Sequence, residues 1–148
     1  MPHTYVSSLV HCVFSTKNRR RIISEEVQPA LWAYLGGIAR KNDFRVLAAG
    51  GTQDHVHVLL SLPATLPIAK ALQLLKGGSS KWLNEGTVKN FAWQDAYGAF
   101  SIGVSQCGET KTYIQLQKEH HSKRDFESEF LAFLKKHGVE YDPQHVFG

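Results

Sequence analysis

The order of the hydrophobic periodicities along the chain constrains the fold most. Four segments show the composition and alternation of β-strands, rich in Val, Leu and aromatic residues: 5–14, 44–49, 56–62 and 91–104. Two segments carry apolar residues at helical spacing, the stripes Val27-Leu31-Leu35-Ile38 and Ile68-Leu72-Leu75-Trp82. Gly50-Gly51 is interpreted as a bend and Ser24 as the cap of the first helix. The order β-α-β-β-α-β predicts an α+β protein with a ferredoxin-like (RRM-like) antiparallel sheet.

Two more helices are predicted after the last strand. Residues 110–121 form the first, and residues 125–137 form an amphipathic helix that ends at Gly138. No repeat, low-complexity tract or linker interrupts the 148 residues. The sequence therefore predicts one domain over residues 1–148, with helices added after the sheet.

The composition excludes several classes of protein. The two cysteines are far apart and lack a CxxC spacing, so a disulfide scaffold or a structural zinc site is not expected. The amino terminus lacks the pattern of a signal peptide, and no apolar run approaches the ~20 residues that cross a bilayer. We expect a cytoplasmic protein with no membrane partner.

A net charge of +4 suggests a polyanionic partner, and the basic residues are concentrated after the first strand and along the second helix. Phosphate contacts are predicted for Lys17, Arg19, Arg20, Arg21, Lys70, Lys76 and Lys81. Three aromatic side chains are candidates for stacking on unpaired bases: Trp82, Trp93 and Tyr97. Trp82 also fits the core, since it lies on the apolar stripe of its helix.

Two histidines stand two residues apart in the third predicted strand. On a strand, His55 and His57 project to the same side, ~7 Å apart, while Val56 enters the core. Two imidazoles on one face can converge on a divalent ion. Ordinary strand histidines on a solvated face fit the same spacing, because His-x-His is short and common.

The helix at residues 110–121 has only two plainly apolar residues, which is a poor core stripe. Tyr113 and Gln117 are four residues apart and lie on one face, which His120 or His121 continues. A phenol, an amide and imidazoles in one line suit a functional site. A surface tyrosine with a wet hydroxyl is the alternative.

Five segments together resemble the HUH endonucleases, and specifically the one-tyrosine transposases of the insertion-sequence 200/605 type. The resemblance covers residues 3–142. Ala96 departs from it, since glycine is expected there, and touches no chemical role. The segments are 14–20 (FSTKNRR), His55-Val56-His57 with 59–61 (LLS), 76–80 (KGGSS), 91–101 (FAWQDAYGAFS), and Tyr113-Ile114-x-x-Gln117 with His120-His121.

This resemblance implies a metal-dependent enzyme that cleaves and rejoins single-stranded DNA at hairpin-bearing element ends through a 5′-phosphotyrosine intermediate. It implies Tyr113 as the nucleophile, His55, His57 and Gln117 as ligands, and Mg²⁺ or Mn²⁺ as the ion. It also implies a homodimer in which Tyr113 and Gln117 of one chain face the histidines of the other, although one sequence does not distinguish cis from trans assembly.

The chemistry adds two expectations and leaves alternatives open. A phenol has a pKa near 10, so it needs a base, for which His120, His121 and water are candidates. A neutral shell of two imidazoles and an amide predicts an ion-poor resting state until DNA phosphate adds negative charge. A repeat-associated nuclease that moves no element, a non-catalytic nucleic-acid-binding module and a phosphoesterase with a water nucleophile are the other hypotheses.

Overall fold

The computed structural model describes residues 4–86, 88–121 and 124–147, and in them the predicted β-α-β-β-α-β order is confirmed. The strands form one antiparallel sheet in the order β2-β3-β1-β4. The strands are β1 (Leu9–Ser15), β2 (Arg45–Gly51), β3 (His55–Ser61) and β4 (Gly98–Ile102). The helices are α1 (Gln28–Lys41), α2 (Ile68–Glu85), α3 (Cys107–Gln115), α4 (Gln117–His121) and α5 (Phe126–Lys136). The fold is therefore ferredoxin-like.

Both faces of the sheet are covered, and β3 shows this best because its first six residues are all buried. Val56, Val58 and Leu60 belong to the main core under α1 and α2. The intervening residues, among them His55 and His57, point to the opposite face. The prediction that the two histidines share a face is confirmed, but the face is not solvated.

The C-terminal helices cover this second face. Ile114 of α3 packs on Leu59 and on Ala48 of β2. Helix α5 packs its apolar side against Val13 and Phe100 of the sheet. The side chains that make this contact are Phe126, Phe130 and Leu134. The histidines of β3 are thus enclosed between the sheet and helices α3 to α5.

The predicted helix at residues 110–121 is in fact two helices. They meet at Leu116, whose φ of −104° and ψ of 28° are not helical. Tyr113 and Gln117 consequently sit on either side of the joint. Gln117 still contacts the preceding helix, because its side-chain amide donates to the backbone carbonyl of Tyr113 at 3.3 Å.

Several predicted boundaries were wrong. Strand β1 begins at Leu9, and β4 is confined to Gly98–Ile102. Helix α1 begins at Gln28 with a proline in its first turn and without a side-chain cap from Ser24. Gly50-Gly51 is part of β2 instead of a bend.

None of the helices in the described ranges is long and apolar enough to cross a bilayer.

Helix α2 is continuous through its two glycines, Gly77 and Gly78. A Cβ on Gly78 would come within 2.8 Å of Ile38 Cδ1, so this glycine lets α1 and α2 approach each other. Gly77 has nothing within 4 Å of such a Cβ. Helix packing explains the second glycine, and nothing in the structure explains the first.

Candidate active site

His55 and His57 stand side by side on β3, with ring centroids 5.2 Å apart and no solvent exposure. Each Nδ1 atom has a partner on one side of the ring. Nδ1 of His55 lies 2.7 Å from Asp54 Oδ1, and Nδ1 of His57 lies 2.8 Å from His11 Nε2. The Nε2 atoms of both rings face the helices. Such hydrogen bonds fix the ring orientation and leave the second nitrogen available as a ligand.

Tyr113 and Gln117, the two residues that were predicted to extend the site from a helix, lie opposite these histidines in the same chain. Gln117 Oε1 is 3.1 Å from His55 Nε2, and Gln117 is almost fully buried. Tyr113 is half-buried, and its ring centroid is 5.8 Å from that of His57. The structure therefore brings Tyr113, Gln117 and both histidines together within one chain.

Glu129 of α5 occupies the centre of this group, and sequence reasoning missed it. Its Oε1 lies 2.8 Å from His57 Nε2, 3.0 Å from His121 Nε2 and 3.7 Å from His55 Nε2. The hydroxyl of Tyr113 donates a short hydrogen bond to its Oε2. The carboxylate is 1% exposed. A sequence signal was present, since an acidic residue lies on the apolar side of an amphipathic helix.

The two histidines proposed as general bases have different surroundings. The ring of His120 stacks on that of Tyr113, with ring centroids 4.4 Å apart and ring planes inclined by 24°. His121 bonds to Glu129 and lies 4.4 Å from the ring of His55. The Tyr113 hydroxyl itself donates to Glu129.

Burial controls the protonation of this cluster. Desolvation lowers the pKa of His57 to about 4, although Glu129 opposes the shift. Desolvation and the neighbouring His57 lower the pKa of His11 to about 3. Burial alone would raise the pKa of Glu129, but hydrogen bonds from His121 and His57 outweigh it and hold the pKa well below its usual range. An ionised carboxylate beside the neutral imidazole of His57 is a donor set for a cation.

The pKa of Tyr113 is shifted upward, whereas those of His11, His57 and Glu129 are shifted downward. Burial, followed by its hydrogen bond to the Glu129 carboxylate, raises the pKa of the phenol above its usual value. The phenol is therefore protonated at neutral pH in this arrangement. For a phenol in this position to act as a nucleophile, the negative charge beside it would have to be offset.

The donor atoms fit one metal ion. The ligand atoms of His55, His57, His121 and Glu129 all lie within 4.8 Å of one another. A single divalent ion with ligand distances of about 2.0–2.2 Å can reach such a set after small side-chain shifts. Imidazole and carboxylate together suit several divalent metals. The residues present therefore fit a divalent cation.

Two cavities of about 300 Å³ each flank the cluster. The first opens on the Tyr113 side and is lined by basic side chains that include Arg124 and Lys136. The second opens beside His121 and Asp54, with Arg21 on its wall. Tyr113 and His121 thus each line a cavity that also carries cationic side chains.

The predicted phosphate-binding residues lie in two places. Lys17, Arg20 and Arg21 are exposed after β1. Lys70 and Lys81 are exposed on α2, which covers the sheet face opposite the histidines. Of this set, Arg21 lines a cavity at the cluster.

Arg19 and Lys76 are engaged within the chain. Arg19 pairs with Glu127 at 3.5 Å. Lys76 donates to the carbonyl of Gln94 at 2.6 Å and to that of Asp95 at 2.9 Å. These contacts hold neighbouring segments together, so both cations have a structural role in the described conformation.

The three candidate stacking residues also differ. Trp93 is 7% exposed and its indole N–H donates to Ser79 at 3.0 Å, which makes it part of the core. Trp82 stacks on Tyr34 at 4.6 Å. Tyr97 is 37% exposed, so its ring is accessible to a base.

Known proteins resemble both the fold and the sequence. A transposase crystal structure from Deinococcus radiodurans superposes with a TM-score of 0.64 at 21% identity, over 77% of this chain and 93% of that one. The structure of a REP-associated tyrosine transposase bound to a REP hairpin gives a TM-score of 0.61 at 18% identity, over 82% of this chain and 73% of that one. At these identities the likeness concerns the fold.

Sequence comparison identifies the family. The family model described as "Transposase IS200 like" matches residues 4–117. The transposase of insertion sequence IS200 from Salmonella typhimurium is 28% identical over 134 residues, 89% of this chain and 88% of its own length. The ISDra2 transposase TnpA of Deinococcus radiodurans is 26% identical over 116 residues, 74% of this chain and 83% of its own length.

The protein belongs to a class of enzymes that cleave DNA and transfer its strands. Within that class, the chain is a member of the IS200-like transposase family. The resemblance inferred from the sequence motifs is thereby confirmed.

Proposed function

We propose that this transposase cleaves and rejoins single-stranded DNA in a metal-dependent reaction, with Tyr113 as nucleophile and His55, His57 and Gln117 as metal ligands. One observation carries the proposal. The hydroxyl of Tyr113 and the Nε2 atom of His57 both contact the carboxylate of Glu129, so nucleophile and candidate ligands meet at one point.

The reaction forms one phosphorus–oxygen bond and breaks another. The phenolic oxygen of Tyr113 attacks the phosphorus of a phosphodiester, and the bond from phosphorus to the 3′ oxygen breaks. The phenol loses its proton, and the departing strand leaves with a 3′-OH. A 3′-OH can later attack the 5′-phosphotyrosine and release Tyr113, so strands rejoin without an external energy source.

The surrounding residues bind and orient the reactants. Arg124 and Lys136 line the cavity beside Tyr113 and place positive charge where the DNA backbone would enter. Enclosure of the histidines excludes water, which strengthens electrostatic interactions at the phosphate. His55, His57 and Gln117 would hold a divalent ion, Mg²⁺ or Mn²⁺ by family resemblance, which would supply positive charge to offset that of the phosphate.

Hairpin-bearing single strands are the proposed substrate. The support is the resemblance of the motifs and the fold shared with a REP-associated transposase whose structure contains a REP hairpin. The homodimer and the cytoplasmic location expected from the sequence stay predictions. Within one chain the Tyr113 hydroxyl already reaches Glu129 beside the histidines, so we propose a cis site.

The test is covalent capture of DNA. Wild-type protein, Tyr113→Phe and the control Tyr5→Phe are incubated with Mn²⁺ and single-stranded oligonucleotides containing hairpins, then separated on a denaturing gel. Tyr5 is 94% exposed and serves as a matched control. We expect an adduct with wild type and Tyr5→Phe, and neither adduct nor cleavage with Tyr113→Phe.

Each alternative gives another pattern. Cleavage that persists in Tyr113→Phe without an adduct would indicate a phosphoesterase with a water nucleophile. Binding without cleavage by the wild-type protein, across a panel of hairpin oligonucleotides, would indicate a non-catalytic module. Either result contradicts the proposal.

A further inference from the structure

Glu129 lies outside the part of the chain that defines the family. The family model matches residues 4–117, whereas Glu129 belongs to α5. The helix is fixed by apolar contacts of Phe126 and Phe130 with the sheet. Its N-cap, Asp125, accepts from the N–H of Ser128 at 2.9 Å. A well-anchored helix thus carries a carboxylate into the cluster.

The oxygen atoms around the histidines are arranged as ligands for a cation. Nε2 of His55 faces Gln117 Oε1 at 3.1 Å and Glu129 Oε1 at 3.7 Å, and both atoms are acceptors. Its Nδ1 already faces the carboxylate of Asp54. A cation among these atoms would satisfy both oxygens and the imidazole.

We propose that Glu129 is an anionic ligand of the divalent ion and that it also holds the hydroxyl of Tyr113 beside that ion. The inference rests on the proposed function and extends its ligand set beyond His55, His57 and Gln117. Helix α5 thereby completes the site from the same chain.

The negative charge of Glu129 changes the metal occupancy that we expect before DNA binds. Two imidazoles and an amide are neutral and bind Mg²⁺ or Mn²⁺ weakly, whereas a carboxylate attracts a hard divalent cation strongly. The ion is therefore bound before DNA arrives, contrary to the ion-poor state expected from the sequence. Nucleophile and ion share one carboxylate, so their positions are coupled.

The experiment measures Mn²⁺ binding without DNA. Protein stripped of metal with a chelator is titrated with Mn²⁺, and free ion is followed by its electron paramagnetic resonance signal. Wild type is compared with Glu129→Gln and with Glu127→Gln. Glu127 is on the same helix and its side chain is 43% exposed, so it controls for loss of one negative charge.

We expect Glu129→Gln to raise the Mn²⁺ dissociation constant by about 100-fold or more, the upper range for disturbing a metal site, and Glu127→Gln to leave it unchanged. Glu129→Asp keeps the charge at a shorter reach, and we expect about a tenfold loss. Melting of each metal-free variant checks folding. If Glu129→Gln does not fold, the Mn²⁺ dissociation constant of Glu129→Asp tests the inference instead.

Three results would overturn the inference. Unchanged affinity in a folded Glu129 variant means that the carboxylate is not a ligand. Tighter binding in Glu129→Gln means that the carboxylate occupies the place of the ion. Failure of the wild type to bind Mn²⁺ without DNA also refutes it, while adduct formation in the presence of Mn²⁺ and DNA would leave the proposed function standing.

Discussion

His11 of β1 contacts the Nδ1 side of the His57 ring, opposite the Nε2 atom that contacts Glu129. In the antiparallel pairing His11 stands opposite Leu59 and Val13 stands opposite His57, so His11 is a diagonal neighbour of His57 on the same face. The two nitrogen atoms are 2.8 Å apart in a buried setting. Because burial holds the pKa of His11 at about 3, it stays neutral. In the tautomer that frees Nε2 of His57 for a metal ion, His11 accepts the Nδ1–H of His57.

Replacement of this partner tests its positioning role. We expect His11→Phe to keep the ring volume, to melt within a few degrees of wild type and to weaken Mn²⁺ binding about 10- to 100-fold, because a ligand loses the hydrogen bond that orients it. His145→Phe removes an exposed histidine that pairs with Asp142 and is the control. The same Mn²⁺ titration measures both variants, and equal affinities would mean that His11 only fills space.

Helix α3 owes its place on the sheet to a glycine of β2. A Cβ on Gly50 would lie 2.2 Å from the carbonyl oxygen of Ile114, which is a backbone atom that cannot rotate away. Tyr113 precedes Ile114 in this helix. Close approach of α3 to the sheet therefore sets the height of Tyr113 above the histidines.

We expect Gly50→Ala to displace α3, to destabilise the fold by about 2 kcal/mol and to reduce adduct formation more than tenfold, since overpacking shifts backbones. Gly108→Ala lies in the same helix with nothing within 4 Å of the added Cβ. It should be neutral or slightly stabilising. Urea unfolding and the adduct assay measure both. A Gly50→Ala protein with wild-type stability would show that α3 is not held by this contact.

The features of the fold that depend on local sequence patterns were predictable. Alternation placed His55 and His57 on one face, and spacing of four aligned Tyr113 with Gln117. The position of Glu129 beside the histidines was not predictable in the same way. Helical periodicity puts it on the apolar side of α5, but which sheet face α5 covers is a long-range packing choice. His11 was missed for a related reason, because strand register joins residues 46 positions apart.

At the scale of the whole molecule, the proposed active-site residues come together within one chain. The Tyr113 hydroxyl contacts Glu129, which contacts His57, without a second copy. A dimer with exchanged helices would instead pair the tyrosine of one protomer with the histidines of its partner. The two assemblies respond differently when two inactive variants are mixed.

In the cis assembly, Tyr113→Phe and His57→Gln each lack a needed group, and an equimolar mixture stays inactive in the adduct assay. In the exchanged dimer, a mixed pair would contain one intact site, and random pairing would restore about a quarter of wild-type activity. Each variant is first shown to be folded by circular dichroism, and the mixture is unfolded and refolded together so that protomers can exchange. We expect no restored adduct, because every group of the site is already within reach in a single chain.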